Sequence, residues 1–96
     1  MAAYLVVDTK LTNPALYEEY QLKARPLVEK FGGEYIARGG SISLKESKLW
    51  TPTRMVLVRF PSVADAETFY QSPEYQEVVK ISKLSADRTS FILEGI

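Results

Sequence analysis

The sequence predicts an α+β fold in which one four-stranded sheet is covered by helices on a single face. Three observations predict it. Hydrophobic patterning along the 96 residues gives the order strand, helix, strand, strand, helix pair, strand. Glycine and proline fall at the junctions between these segments. Residues of both parities are apolar in the first and third strands: Leu5 and Val7 with Tyr4 and Val6, Met55 and Leu57 with Val56 and Val58. Such strands need apolar cover on both faces of their sheet.

The elements follow in chain order. Ala3 to Lys10 is rich in β-formers and reads as a strand, central in its sheet. Asn13-Pro14 starts a helix, with Asn13 as the N-cap and Pro14 at the first helical position. Leu16, Tyr20, Ala24, Leu27, Val28 and Phe31 fall on one face of that helix. Pro26 lacks a backbone donor and is expected to kink or interrupt it, and Gly32 supplies the left-handed position that ends it. Glu34 to Arg38 alternates as a strand, Gly39-Gly40 forms a bulge or bend, and Ser41 to Glu46 is expected to continue extended. Ser47 to Thr53 reads as a loop, and Arg54 to Phe60 as the clearest strand, stopped by Pro61. Ser62 and Asp65 have capping-box spacing for a helix through Gln71, and Ser72-Pro73 caps a second helix to about Ser85. Asp87-Arg88-Thr89 reads as a turn into a last strand, Ser90 to Glu94.

Two strand–helix–strand crossovers joined by a hairpin make the ferredoxin-like split βαβ arrangement, βαββαβ. Residues 1–96 are read as one domain of this kind. With helices on one face, the other apolar face needs a second layer. A homodimer packing sheet on sheet, a dimeric α/β barrel, supplies it.

Composition narrows the function classes. Apolar residues make up 46% of the chain, enough for a true core. Twelve cations balance twelve anions and no basic run occurs, so a nucleic-acid partner is not expected. Apolar runs are too short to cross a bilayer, and the first residues lead straight into a strand, without a secretory leader pattern. The absence of cysteine removes disulfides and thiolate chemistry. The absence of histidine removes the commonest metal ligand and the usual base near neutral pH. A cytoplasmic protein without metal or cofactor is the resulting expectation.

Two stretches carry most of the functional signal. Gly32-Gly33-Glu34-Tyr35-Ile36-Ala37-Arg38-Gly39-Gly40 places a strand ending in a guanidinium between two glycine pairs. Trp50-Thr51-Pro52-Thr53-Arg54 delivers a second guanidinium after the only tryptophan. Two fixed cations beside an aromatic ring suit a small anionic or oxygen-rich ligand. Neither glycine pair has the spacing of a phosphate cradle.

These stretches, with Phe60-Pro61-Ser62, Ser72-Pro73-Glu74-Tyr75-Gln76 and the closing Glu94-Gly95, resemble the domain-of-unknown-function 1330 family over nearly the whole chain. The resemblance implies a dimeric α/β barrel and no assigned reaction. The wider dimeric α/β-barrel group includes cofactor-free oxygenases, haem-degrading enzymes, isomerases and dehalogenating or decarboxylating enzymes. The family commonly carries arginines where this chain has Ser82 and Thr89. An anion site built on those two would be weakened here unless Lys83 or Arg88 compensates.

Each candidate residue has two readings. Arg38 either binds a ligand carboxylate or pairs with an acid such as Glu34 or Glu46. Arg54 either joins it across the hairpin or is a solvated strand end. Trp50 walls a pocket or anchors packing. Tyr20 points its hydroxyl into a cleft between helix and sheet or is plain core. Tyr75, in the first turn of the last helix, closes that cleft or staples two helices. Asp8 is the best single carboxylate for general-base work, with a tyrosine hydroxyl such as that of Tyr20 as the other weak catalytic candidate. Two functions follow: a cofactor-free enzyme acting on a small acidic or aromatic metabolite, or a non-catalytic homodimer that binds a small molecule or serves as a structural module. Convergence of Arg38, Arg54 and Trp50 on one cleft would favour the first.

Overall fold

A computed structural model describes residues 1–96. The chain runs β1 (Ala3–Leu11), α1 (Pro14–Lys30), β2 (Glu34–Arg38), β3 (Met55–Phe60), α2 (Val63–Gln71), α3 (Pro73–Ser85), β4 (Ala86–Glu94). The strands form one antiparallel sheet in the order β2-β3-β1-β4. This is the ferredoxin-like α+β fold, with the first strand central as its composition requires.

Local chemistry sets the boundaries. Asn13 caps α1 through its side-chain oxygen, which accepts from the Leu16 amide at 3.2 Å. At the other end Gly32 takes φ +85°. Its amide donates to the Glu29 carbonyl and the Gly33 amide to the Val28 carbonyl, the paired bonds of a Schellman cap. Gly33 must itself be small, since a Cβ there would lie 2.7 Å from Val28 and 2.9 Å from the Phe60 ring. Ser62 accepts from the Asp65 amide at 3.1 Å and donates to its carboxylate at 3.0 Å. Ser72 ends α2 and starts α3, donating to the Phe69 carbonyl and accepting from the Tyr75 amide.

Four expectations are corrected. Pro26 does not interrupt α1, which is continuous to Lys30. Pro26 and the Leu22 it would have bonded to both lie on the exposed side of α1, where a missing backbone bond costs least. The inner face of α1 is led by Tyr17 rather than Leu16, which is only half-buried. Of the bulge or bend expected at Gly39-Gly40 the structure has the bend, at Gly39, while the register shift in β2 lies between Tyr35 and Ala37, and the expected extended run after it is absent. Gly39 is a bend at φ +70° whose amide closes the hairpin onto the Met55 carbonyl at 2.8 Å, and Ser41 to Glu46 is not a strand. Finally, β4 starts at Ala86 with no intervening turn, because Ala86 to Thr89 already pair with Leu11 to Asp8.

The helices cover one sheet face only. Leu5, Val7, Val58 and Phe60 meet Tyr17, Ala24, Val28, Phe69, Tyr75 and Val79 in one buried cluster. On the opposite face the register sets Ala37, Leu57, Val6 and Phe91 side by side across all four strands. Phe91 and Leu93 on that face are 42% and 55% exposed. None of the helices is long and apolar enough to cross a membrane.

Candidate functional site

A cleft opens between α1 and the helix-covered face of the sheet. Its floor is apolar, from Leu5, Val7, Val56 and Val58, and its walls are tyrosines and arginines. Tyr17 and Tyr20 project from α1 and Tyr75 from the first turn of α3. The Tyr20 and Tyr75 hydroxyls share a buried hydrogen bond of 2.7 Å, and the Tyr17 and Tyr20 rings lie 5.1 Å apart. The cavity volume is about 40 Å³, room for one or two waters. A larger ligand enters only as these side chains move apart.

The electrostatics are one-sided. Four of the chain's five arginines, Arg25, Arg38, Arg54 and Arg88, line the cleft, and no lining residue is Asp, Glu, His or Cys. The ion pairs of the chain are Lys23–Glu19, Lys30–Glu74 and Lys80–Glu77, so no arginine has an acidic partner. Instead Arg38 lies over the Tyr35 ring and Arg88 over the Tyr20 ring, each 5.0 Å from the centroid. The Nε atoms of Arg25 and Arg88 are buried without a hydrogen-bond acceptor. Arg54 lies against Gly39, where a Cβ would come within 2.9 Å of its Nε.

Titration follows from these contacts. Burial opposes ionisation of Tyr20 most strongly, the neighbouring Tyr75 phenol adds to that, and Arg88 only partly offsets them. The Tyr20 pKa is pushed well up, so its phenol stays protonated and available as a donor. Tyr35 is raised as well, by burial against the opposing pull of Arg38 and Arg25. Burial acts against the Arg88 charge, but Tyr20, Tyr75 and Tyr17 more than offset it, and its pKa moves up.

Among the residues singled out from sequence, Arg38, Arg54, Tyr20 and Tyr75 meet in this cleft. Trp50 and Asp8 do not. Asp8 stands on the opposite face of the sheet, in line with Tyr4 and Val6. One carboxylate oxygen accepts from the Thr53 and Arg54 amides at 2.9 and 3.1 Å, the other from the Trp50 indole at 2.9 Å. Asp8 therefore ties down the long connection between β2 and β3, and Trp50 is the far end of that tie. Burial alone would raise the Asp8 pKa, but the hydrogen bonds from Thr53, Arg54, Trp50 and Thr9 together carry it downward.

The sign of the pH effect is then fixed. A carboxyl more acidic in the folded chain than in the unfolded one contributes fully above about pH 4 and is lost as pH falls through its folded value. Emission from Trp50, the only tryptophan, is expected to stay constant from about pH 8 to about pH 5 and to change only below about pH 4. Asp8→Ala should show the acid-form spectrum already at neutral pH. A spectral change centred near neutrality would remove Asp8 from this role.

Sequence reasoning missed Arg25, Tyr17 and Tyr35 as site residues and treated Arg88 only as a substitute cation. Gln21 and Arg25, one turn apart beside the Tyr17–Tyr20–Ala24 stripe, were the available signal for the helix. For Arg88 the signal was parity with Ser90 and Ile92, legible only once β4 is begun at Ala86. Ser82 is buried and donates to the Val79 carbonyl at 2.7 Å. Lys83 is exposed and does not line the cleft.

Comparison with known proteins agrees with the architecture. The family model described as a domain of unknown function (DUF1330) matches residues 2–96. No curated protein matches the chain. Among solved structures, a protein of unknown function from Rhodopseudomonas palustris superposes with a TM-score of 0.78 at 19% identity, over 99% of this chain and 82% of the other. SnoaB, a cofactor-independent oxygenase from Streptomyces nogalater, gives 0.71 at 7% identity, over 99% and 93%. A dimeric ferredoxin-like protein of unknown function from Thermobifida fusca gives 0.68 at 13% identity, over 99% and 92%. At these identities the likeness is one of fold.

Proposed function

The chain belongs to the family described as a domain of unknown function (DUF1330), and from that premise we propose a homodimeric protein whose cleft binds a small acidic or aromatic metabolite and acts on it without a cofactor. One observation carries the reading: four arginines, none with an acidic partner, gather in a cleft walled by tyrosines. A half-buried guanidinium without a counter-ion is costly, and a bound carboxylate or phenolate supplies the missing charge through paired hydrogen bonds. Tyr20, kept neutral, donates to an oxygen that gains negative charge. A substrate that forms a stable anion carries its own reactivity, so no metal ligand or thiol is required. The fold likeness to SnoaB gives this chemistry a precedent.

In this reading the second copy covers the open sheet face. The apolar row from Ala37 to Phe91 is the contact, in keeping with neighbours described as dimeric ferredoxin-like proteins.

One observation favours a second reading, a non-catalytic binding homodimer: the cleft has no carboxylate, histidine or cysteine to act as a base. Calorimetric titration with salicylate tests what the two readings share. A Kd below about 1 mM is expected, and Arg38→Ala should weaken it about tenfold or more with an unchanged thermal midpoint. Absence of heat with the wild-type chain, or an Arg38→Ala variant that melts early, would sink the anion cleft. Dioxygen uptake or product formation with electron-rich phenolic acids then separates the enzyme from the binder.

A further inference from the structure

Of the four cations, Arg25 enters the cleft from α1 and the other three from the sheet side. Thr9 pairs with Arg88 across β1 and β4, and its amide donates to the Arg54 carbonyl at 3.0 Å. Arg54, just before β3, Thr9 on β1 and Arg88 on β4 thus stand in one row, on the face beneath the helices. Strands are spaced about 4.8 Å apart, which sets the Arg54 and Arg88 backbones roughly 10 Å from one another. Arg38 lies on β2, beyond β3, on the Arg54 side. Arg38 and Arg88 therefore come from the two edge strands, with Arg54 on the Arg38 side between them, over a floor of Val7 and Val56.

Each side has its own support. Arg38 rests on the Tyr35 ring, and Arg54 occupies the space left by the missing side chain of Gly39. Arg88 rests on the Tyr20 ring, with its buried Nε lacking an acceptor. A single carboxylate has two oxygens and one charge. Seated on either side, it leaves the other side as an unpaired, partly desolvated cation. A ligand charged at both ends satisfies both.

We propose that the cleft takes a dianion: a compact unsaturated or aromatic body with an acid group at each end, one held by Arg38 and Arg54 and the other by Arg88. This rests on the anion-cleft reading above and narrows it to diacids.

Two matched pairs of probes test it at constant ionic strength: crotonate against fumarate, and benzoate against terephthalate. In at least one pair the diacid should bind the wild-type chain about tenfold or more tightly than the monoacid. Arg88→Gln should lower diacid affinity to that of the matching monoacid, with the far-ultraviolet circular dichroism of the wild-type chain retained. Should that variant fail to fold, Arg38→Gln, at an exposed position, should reduce the preference in the same way. Equal affinities for monoacid and diacid in both pairs would overturn the two-ended seat and leave the anion cleft standing. A preference that survives in folded Arg88→Gln would also overturn it. No binding of any of the four probes would overturn the anion cleft and the diacid together.

Discussion

Phe69→Ala is expected to cost about 3–5 kcal/mol, a large share of the roughly 5–15 kcal/mol that holds a chain of this size folded. Phe69 is 1% exposed. Its ring lies 4.4 Å from Tyr75, 5.4 Å from Phe60 and 6.0 Å from Phe31, measured between centroids. It therefore joins α2 to α3, to β3 and to the end of α1. Deleting it removes the transfer free energy of the ring and leaves a void bounded by a strand and two capped helices, which cannot readily close. Urea denaturation should show a lower midpoint with an unchanged slope. A loss below about 1 kcal/mol would mean that the cluster repacks, contrary to this account. Phe69 also lines the cleft beside Tyr75, so ligand affinity should fall along with stability.

Phe91→Glu is expected to act on assembly rather than on folding. Phe91 is on the sheet face that the helices leave bare, 42% exposed, at the end of the apolar row with Val6 and Leu57. A carboxylate there meets water in a single chain and costs little. Between two packed sheets it would be an unpaired buried charge worth several kcal/mol, repeated on each copy. Sedimentation should shift from the mass of two chains to that of one, while far-ultraviolet circular dichroism remains that of the wild-type chain. A variant that still sediments as two chains would place the contact elsewhere. A wild-type chain that is monomeric at high concentration would remove the proposed dimer altogether.

The fold was legible because its signals are local and agree with one another. Asn13-Pro14, Gly32, Ser62 and Ser72-Pro73 each fix a helix end through a bond to a backbone group a few residues away. The continuous apolar runs of β1 and β3 need nothing beyond the strand itself. What failed depends on distant partners. Nothing near Asp87 indicates that this segment pairs with Lys10. The continuity of α1 through Pro26 depends on which side of the helix is left exposed, which only the packed structure decides. The site was half legible for the same reason. Arg38 and Arg54 are marked by neighbouring glycines and by the hairpin between them. Arg25 and Arg88 reach the cleft through the rotation of α1 and the register of β4, which no short motif encodes. Asp8 and Trp50 lie 42 residues apart, and sequence placed both at a ligand when they bond to one another.

The alternation in β1 also sets how the chain can change length. Leu5, Val7 and Thr9 lie beneath the helices, and Tyr4, Val6 and Asp8 face the other way. Deleting one residue from this strand would exchange the two sets and turn Asp8 in among the core side chains. The same deletion between Gly40 and Leu49, short of the Trp50 tie, shifts no strand register and alters only the reach of a surface connection. Natural variation in length should therefore concentrate in that connection and be absent from the central strand.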